Sequence, residues 1–121
     1  MNRFEIIQGN ITKSDVDAIV NAADPLLPGD CPTGSARLTA AYGLPCKYVI
    51  HTVTPRWQDG CHDECALLVS CYLAALVLAD EHGCESVAFP LLSSGNYGYP
   101  KEQAFRIAVD TITQYVMEHD L

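Results

Sequence analysis

The segment Pro90-Leu91-Leu92-Ser93-Ser94-Gly95-Asn96-Tyr97-Gly98-Tyr99-Pro100 gathers more groups suited to an anion than any other part of the chain. Gly95 and Gly98 carry no Cβ, so backbone N–H groups there can approach phosphate oxygens closely. Ser93 and Ser94 add hydroxyl donors, and Tyr97 offers a flat face to a ribose or a base. An apolar run precedes the loop and a proline follows it. That places it between the carboxyl end of a buried strand and the N-terminus of a helix, where open α/β sheets bind ligands. The same residues also suit an ordinary strand-to-helix turn, with glycine for geometry and proline for the helix start. No lysine follows the glycines, as a triphosphatase loop requires, and the spacing differs from the dinucleotide fingerprint. The chemistry these residues would suit is the holding of phosphate oxygens, chiefly by backbone amides, with the plain turn still open beside it.

Other reactive side chains are less organised. Cys61-His62-Asp63-Glu64-Cys65 puts two thiols on one helix face, but His62 points elsewhere and no second ligand pair sits nearby. That falls short of zinc-site spacing, and no metal or cofactor is expected. His51 lies inside a strand and reads as a packed, hydrogen-bonded core residue. Cys46 with His51 makes no persuasive nucleophilic pair.

These groups must be positioned by one small domain, residues 1–121. The residues 3–8 read as a first strand, Thr12-Lys13-Ser14-Asp15 as a capping box opening a helical turn, and Ala18-Ile19-Val20-Asn21 as a buried strand. Residues 22–32, with three prolines, form a loop, and residues 33–42 suit a short helix closed by Gly43. Residues 47–53 are rich in β-branched and aromatic side chains and predict a strand. Leu68, Cys71, Tyr72, Ala75, Leu76 and Ala79 recur at helical spacing within residues 62–82, ended by Gly83. Residues 86–92, apolar without alternation, predict a central strand covered on both faces. Pro100 starts a last helix whose stripe is Ala104, Ile107, Ala108, Thr111, Ile112 and Tyr115. Alternating strands and helices give an α/β fold.

Fifteen acidic and seven basic residues give a net charge of −8, which repels nucleic acid and anionic membranes at long range. The basic residues occur singly, so neither partner is expected. The absence of a long apolar run, and a start that reads as an edge strand, predict a cytoplasmic protein. The six cysteines are expected to be free thiols in that compartment.

Four ordered segments resemble the macrodomain family, which recognises ADP-ribose and in many members removes ADP-ribosyl or acetyl groups. They are Gly9-Asn10-Ile11-Thr12, Val16-Asp17-Ala18-Ile19-Val20-Asn21-Ala22-Ala23-Asp24, Tyr48-Val49-Ile50-His51-Thr52-Val53 and Ser94-Gly95-Asn96-Tyr97-Gly98-Tyr99-Pro100. The resemblance implies a three-layer sheet with helices on both faces, and ADP-ribose or an ADP-ribosylated protein as ligand. By the same resemblance, Asn10 stands where the family usually has an aspartate that accepts from the adenine amino group, and Ile11 lines the adenine pocket. Asn21 belongs to the second motif, and Asp24 replaces an asparagine near the distal ribose. Ser94, Gly95, Asn96 and Tyr97 cradle the diphosphate, with Tyr97 against the distal ribose, and Ser93 and Gly98 complete the binding loop. Asn10 and Asp24 also suit simple turn-closing roles.

The family's second glycine-rich loop and the helix after it are missing between Asp24 and Pro32, and the chain stops at Leu121 before a further strand and helix. The residues left to orient a hydrolytic water are Asp24 and Asp30. An ADP-ribosyl hydrolase or O-acetyl-ADP-ribose deacetylase, a non-turnover reader of ADP-ribose, and an interaction domain with a degenerate site all fit this pattern. A missing strand would expose a sheet edge and favour self-association.

Overall fold

The computed structural model describes residues 11–13, 15–23, 32–41, 43–95 and 97–119. Among them, four strands form one mixed sheet in the order β2-β3-β1-β4. These are β1 (Ala18–Ala23), β2 (Ala36–Ala40), β3 (Tyr48–Val53) and β4 (Val87–Ala88). β1 runs parallel to β3 and to β4, whereas β2 is antiparallel to β3. Two long helices, α1 (Glu64–Glu81) and α2 (Lys101–Glu118), flank the sheet in the expected α/β arrangement.

Asp17 gathers the amino ends of the parallel strands. Its carbonyl accepts from Lys47 and Tyr48 N–H, its own N–H donates to Ser86 Oγ, and its carboxylate accepts from Glu85 N–H. With the amino ends fixed there, the carboxyl ends of β1, β3 and β4 all lie at the opposite end of the sheet. Alternation along the strands then sorts the faces. Ala18, Val20 and Ile50 enter the core, where they meet Leu68, Cys71, Tyr72, Ala75 and Ala79 of α1 and Ala104 and Ala108 of α2. The helical stripe of α1 anticipated by spacing is fully buried at every position.

The structure corrects three sequence expectations. Residues 33–42 are not a helix but carry β2. Gly34 has φ +92°, and a Cβ there would come within 3.3 Å of Leu67 and Ser70, so glycine is required. Thr52 Oγ1 donates to Ser35 O and Ser70 Oγ to Gly34 O, tying the segment to β3 and α1. Tertiary pairing thus overrides the helical propensity of its alanines.

β4 is two residues long, half-buried, and at the end of the described sheet rather than central. Pro90 has no N–H to extend the ladder. The remaining apolar residues of the run turn inward instead: Leu92 is buried, and Phe89 and Leu91 lie against the core. Finally, the first turn is a 3-10 helix at Ile11–Lys13, so Thr12 lies within it and does not cap it. The strand expected at residues 3–8 lies outside the described residues.

Tyr72 links helix and loop. Its ring is fully buried 5.3 Å from Phe89, and its hydroxyl oxygen accepts from Leu92 N–H at 3.1 Å. Burial pushes the phenol up to about 12, so it stays neutral across the physiological range. Tyr72→Phe leaves a buried N–H without its acceptor and should cost about 1–3 kcal/mol in urea unfolding. An unchanged unfolding midpoint would show that the bond has no stabilising role.

Candidate functional site

Beyond the carboxyl ends of β3 and β4, two loops interlock: residues 54–63 and residues 89–100. Ser93 adopts a left-handed backbone (φ +66°), uncommon for a residue with a Cβ. It is held there because Ser93 Oγ donates to Pro55 O at 2.8 Å and Ser93 O accepts from Tyr99 N–H at 2.8 Å. Ser94 Oγ donates to Leu91 O, also at 2.8 Å. Both serine hydroxyl protons therefore bind the loop together, where the sequence had cast them as ligand donors.

The amides divide into two groups. Gly98 N–H donates to Gly95 O and Tyr99 N–H to Ser93 O, while Ser94 N–H makes a long 3.5 Å contact to Leu91 O. Among the described residues nothing accepts from Gly95 or Tyr97 N–H. Gly95 is exposed, and a Cβ built on it would meet nothing within 4 Å. Gly98 has φ +74°, so it serves the turn geometry more than close approach. Tyr99 is buried beneath the loop, as expected, with its ring 4.8 Å from Trp57.

The second loop contributes residues that the sequence did not single out. Trp57 N–H donates to Tyr97 O at 2.9 Å, and the Arg56 guanidinium sits 5.0 Å from the Tyr97 ring centroid. Behind them Glu64, 1% exposed at the start of α1, accepts from the N–H groups of Gln58, Asp59, Gly60 and His62. Burial alone would raise its pKa. The N–H bonds outweigh that and hold the carboxyl at about 2, against an ordinary 4.5. The signal available in the sequence was position: Pro55-Arg56-Trp57 directly follows the strand parallel to β1.

Asp59, His62 and Glu64 bring their ligand atoms within 4.8 Å of one another. Several of these atoms, however, are engaged in structure. Asp59 Oδ1 accepts from Cys61 N–H and faces His62 Nδ1, and both Glu64 oxygens accept amides. The cluster is a clasp for the loop. Cys61 and Cys65 are exposed free thiols, Cys46 and Cys84 are buried ones, and the buried Cys71 Sγ donates to Val53 O.

Asn21 and His51 lie on the sheet face opposite the core. Asn21 Nδ2 donates to His51 Nδ1 at 3.3 Å, leaving the ring proton on Nε2, which faces Thr39 Oγ1 at 3.0 Å. His51 is thus half-exposed and hydrogen-bonded across three strands, not packed in the core. Asn21 is engaged with β3. Ile11 is half-buried in the 3-10 turn. Asn10, Asp24, Asp30 and Asn96 lie outside the described residues.

Comparison with known proteins gives a consistent picture. A family model described as Macro domain matches residues 5–108. A macro domain-containing protein of Mesorhizobium japonicum is 42% identical over 142 residues, covering 98% of this chain and 81% of its own length. O-acetyl-ADP-ribose deacetylase 1 of Pantoea vagans is 41% identical over 147 residues, covering 98% of this chain and 86% of its own. The Oceanobacillus iheyensis macrodomain solved with ADP superposes with a TM-score of 0.84 at 33% identity, covering 91% of this chain and 74% of that one. Both sequence alignments are longer than the 121 residues of this chain, so each relative carries residues inside the matched span that this chain lacks.

The Glu64 clasp has a pH signature. Its folded pKa lies below the unfolded value, so its contribution to stability is complete above 4.5 and fades as pH falls from 4.5 toward 2. Glu64→Gln should lower the thermal midpoint at neutral pH and flatten the decline in that acid window. Superimposable melting profiles for the two proteins would refute this.

Proposed function

The chain belongs to the Macro domain family, and from that premise we propose that it binds ADP-ribose, free or attached to a protein, in the loop at residues 93–98. One observation carries the reading. Gly95 and Tyr97 N–H have no acceptor among the described residues, and they lie on a braced loop beyond the carboxyl ends of parallel strands. Two such donors with an open glycine between the strand and the helix suit a diphosphate. The Oceanobacillus iheyensis relative solved with ADP supports the same ligand class.

Within this reading the pocket comprises Asn10, Ile11, Asn21, Asp24, Ser93, Ser94, Gly95, Asn96, Tyr97 and Gly98. Backbone amides carry the affinity, and Tyr97 lies against the distal ribose. The serine hydroxyls act by holding the loop in shape. The free thiols of the described cysteines favour a reducing, cytoplasmic setting. No helix of the described chain is long and apolar enough to cross a membrane.

The Pantoea vagans relative, named a deacetylase, favours a second reading in which the bound nucleotide is hydrolysed. Asp24 or Asp30 then orients the attacking water, at the acetyl carbonyl carbon of O-acetyl-ADP-ribose, releasing acetate and ADP-ribose, or at the anomeric carbon of an ADP-ribosylated side chain, releasing ADP-ribose and the side chain. Release of ADP-ribose from a modified protein and of acetate from O-acetyl-ADP-ribose test this: turnover by the wild type should fall about a hundredfold in Asp24→Asn or Asp30→Asn. Wild-type turnover no faster than background leaves binding as the whole function.

The binding claim has its own test. Trp57, the chain's single tryptophan, borders the loop, so its fluorescence should change on titration with ADP-ribose. Gly95→Val should fold normally, since nothing surrounds that Cβ. It should also weaken binding by about tenfold or more, roughly 1.4 kcal/mol. Equal affinity in the two proteins would remove the loop from the site.

A further inference from the structure

We propose that Arg56 is the cation of the diphosphate site, a charged arm seated on the Tyr97 ring that adds side-chain donors to the two amides the loop leaves open. This rests on the ADP-ribose reading above and adds a specificity-determining residue to it.

The geometry comes first. Arg56 is exposed, and its guanidinium carbon stands 5.0 Å from the centroid of Tyr97, within cation–π range. The bond from Trp57 N–H to Tyr97 O fixes the neighbouring backbone, so the arm is anchored to the loop at two points. No carboxylate among the described residues pairs with Arg56. Asp59, three residues on, turns its Oδ1 to Cys61 N–H and His62 Nδ1 and makes no ion pair with Arg56.

Electrostatics supply the need. The chain carries −8, so a ligand with two phosphate charges approaches against the long-range field. The loop answers with few donors, because the Ser93 and Ser94 hydroxyls and the Gly98 and Tyr99 amides are committed internally. A guanidinium brings five N–H donors in a rigid fork that matches phosphate oxygens, and stacking on an aromatic ring pre-orients it. Lysine in its place would keep the charge and lose the fork.

The experiment is calorimetric titration of wild type, Arg56→Gln and Arg56→Lys with ADP-ribose, ADP and AMP, at two salt concentrations. Arg56→Gln should weaken ADP-ribose and ADP by about tenfold and AMP by less, with a shallower salt dependence. Arg56→Lys should fall between the two. Melting temperatures identical to wild type exclude misfolding as the cause. Equal ADP affinity in wild type and Arg56→Gln overturns the proposal, as does an equal loss for all three ligands, which would reduce Arg56 to a support for Tyr97. Failure of the wild type to bind ADP-ribose at all overturns the underlying site as well, so the two failures are distinguishable.

Discussion

The bond from Ser93 Oγ to the Pro55 carbonyl fixes the shape on which the rest of the site depends. A left-handed serine is strained by about 1–2 kcal/mol, and it persists only where its surroundings hold it. Here Pro55 O holds the side chain and Tyr99 N–H holds the carbonyl. The reversal at Ser93 carries the chain out of the core after Leu92, and Tyr99 brings it back beneath. Between these two buried points stand Gly95 and Tyr97. The loop is rigid at its roots and open at its crest.

Support runs backward from there into α1. Tyr97 O is held by Trp57, Trp57 lies beside the segment clasped by Glu64, and Glu64 belongs to a helix whose whole inner stripe is buried. Tyr72 of the same helix holds Leu92 N–H. One helix therefore sets both loops, from its first residue and from its middle. A shift of α1 against the sheet would move the two loops together, so their mutual geometry is protected from small distortions. Short-range donors on such a frame suit a small anion better than a polyanion, which would meet the net charge of −8 over a far larger surface.

Much of this was legible in the sequence, for identifiable reasons. The stripes of α1 and α2 repeat over many turns, and the β-branched run of β3 has few other readings. The loop was legible because glycine, serine and proline sit at the junction of two strong elements. β2 was not, because Ala36, Leu38 and Ala40 fit a helix as well as a strand, and only pairing with β3 decides. The length of β4 was hidden too. An apolar run reports burial, and Leu92 is buried by leaving the sheet. Nor does residue type say where a hydroxyl proton goes: Ser93 and Ser94 were placed correctly in the loop, but their donors face the protein. Glu64 looked like one acid among fifteen, and only folding brings four amides to it.

The central claim is that the Gly95 and Tyr97 amides, on a loop braced by Pro55 and Trp57, are the donors for a diphosphate. A titration of the isotopically labelled protein with ADP-ribose, followed by amide proton–nitrogen NMR, reads those groups one by one. The Gly95 and Tyr97 signals should move most and saturate together, with Trp57 following through its bond to Tyr97. Unmoved Gly95 and Tyr97 signals at saturating ligand, or shifts confined to the groove lined by Leu73 and Val77 between β2 and α1, would contradict it.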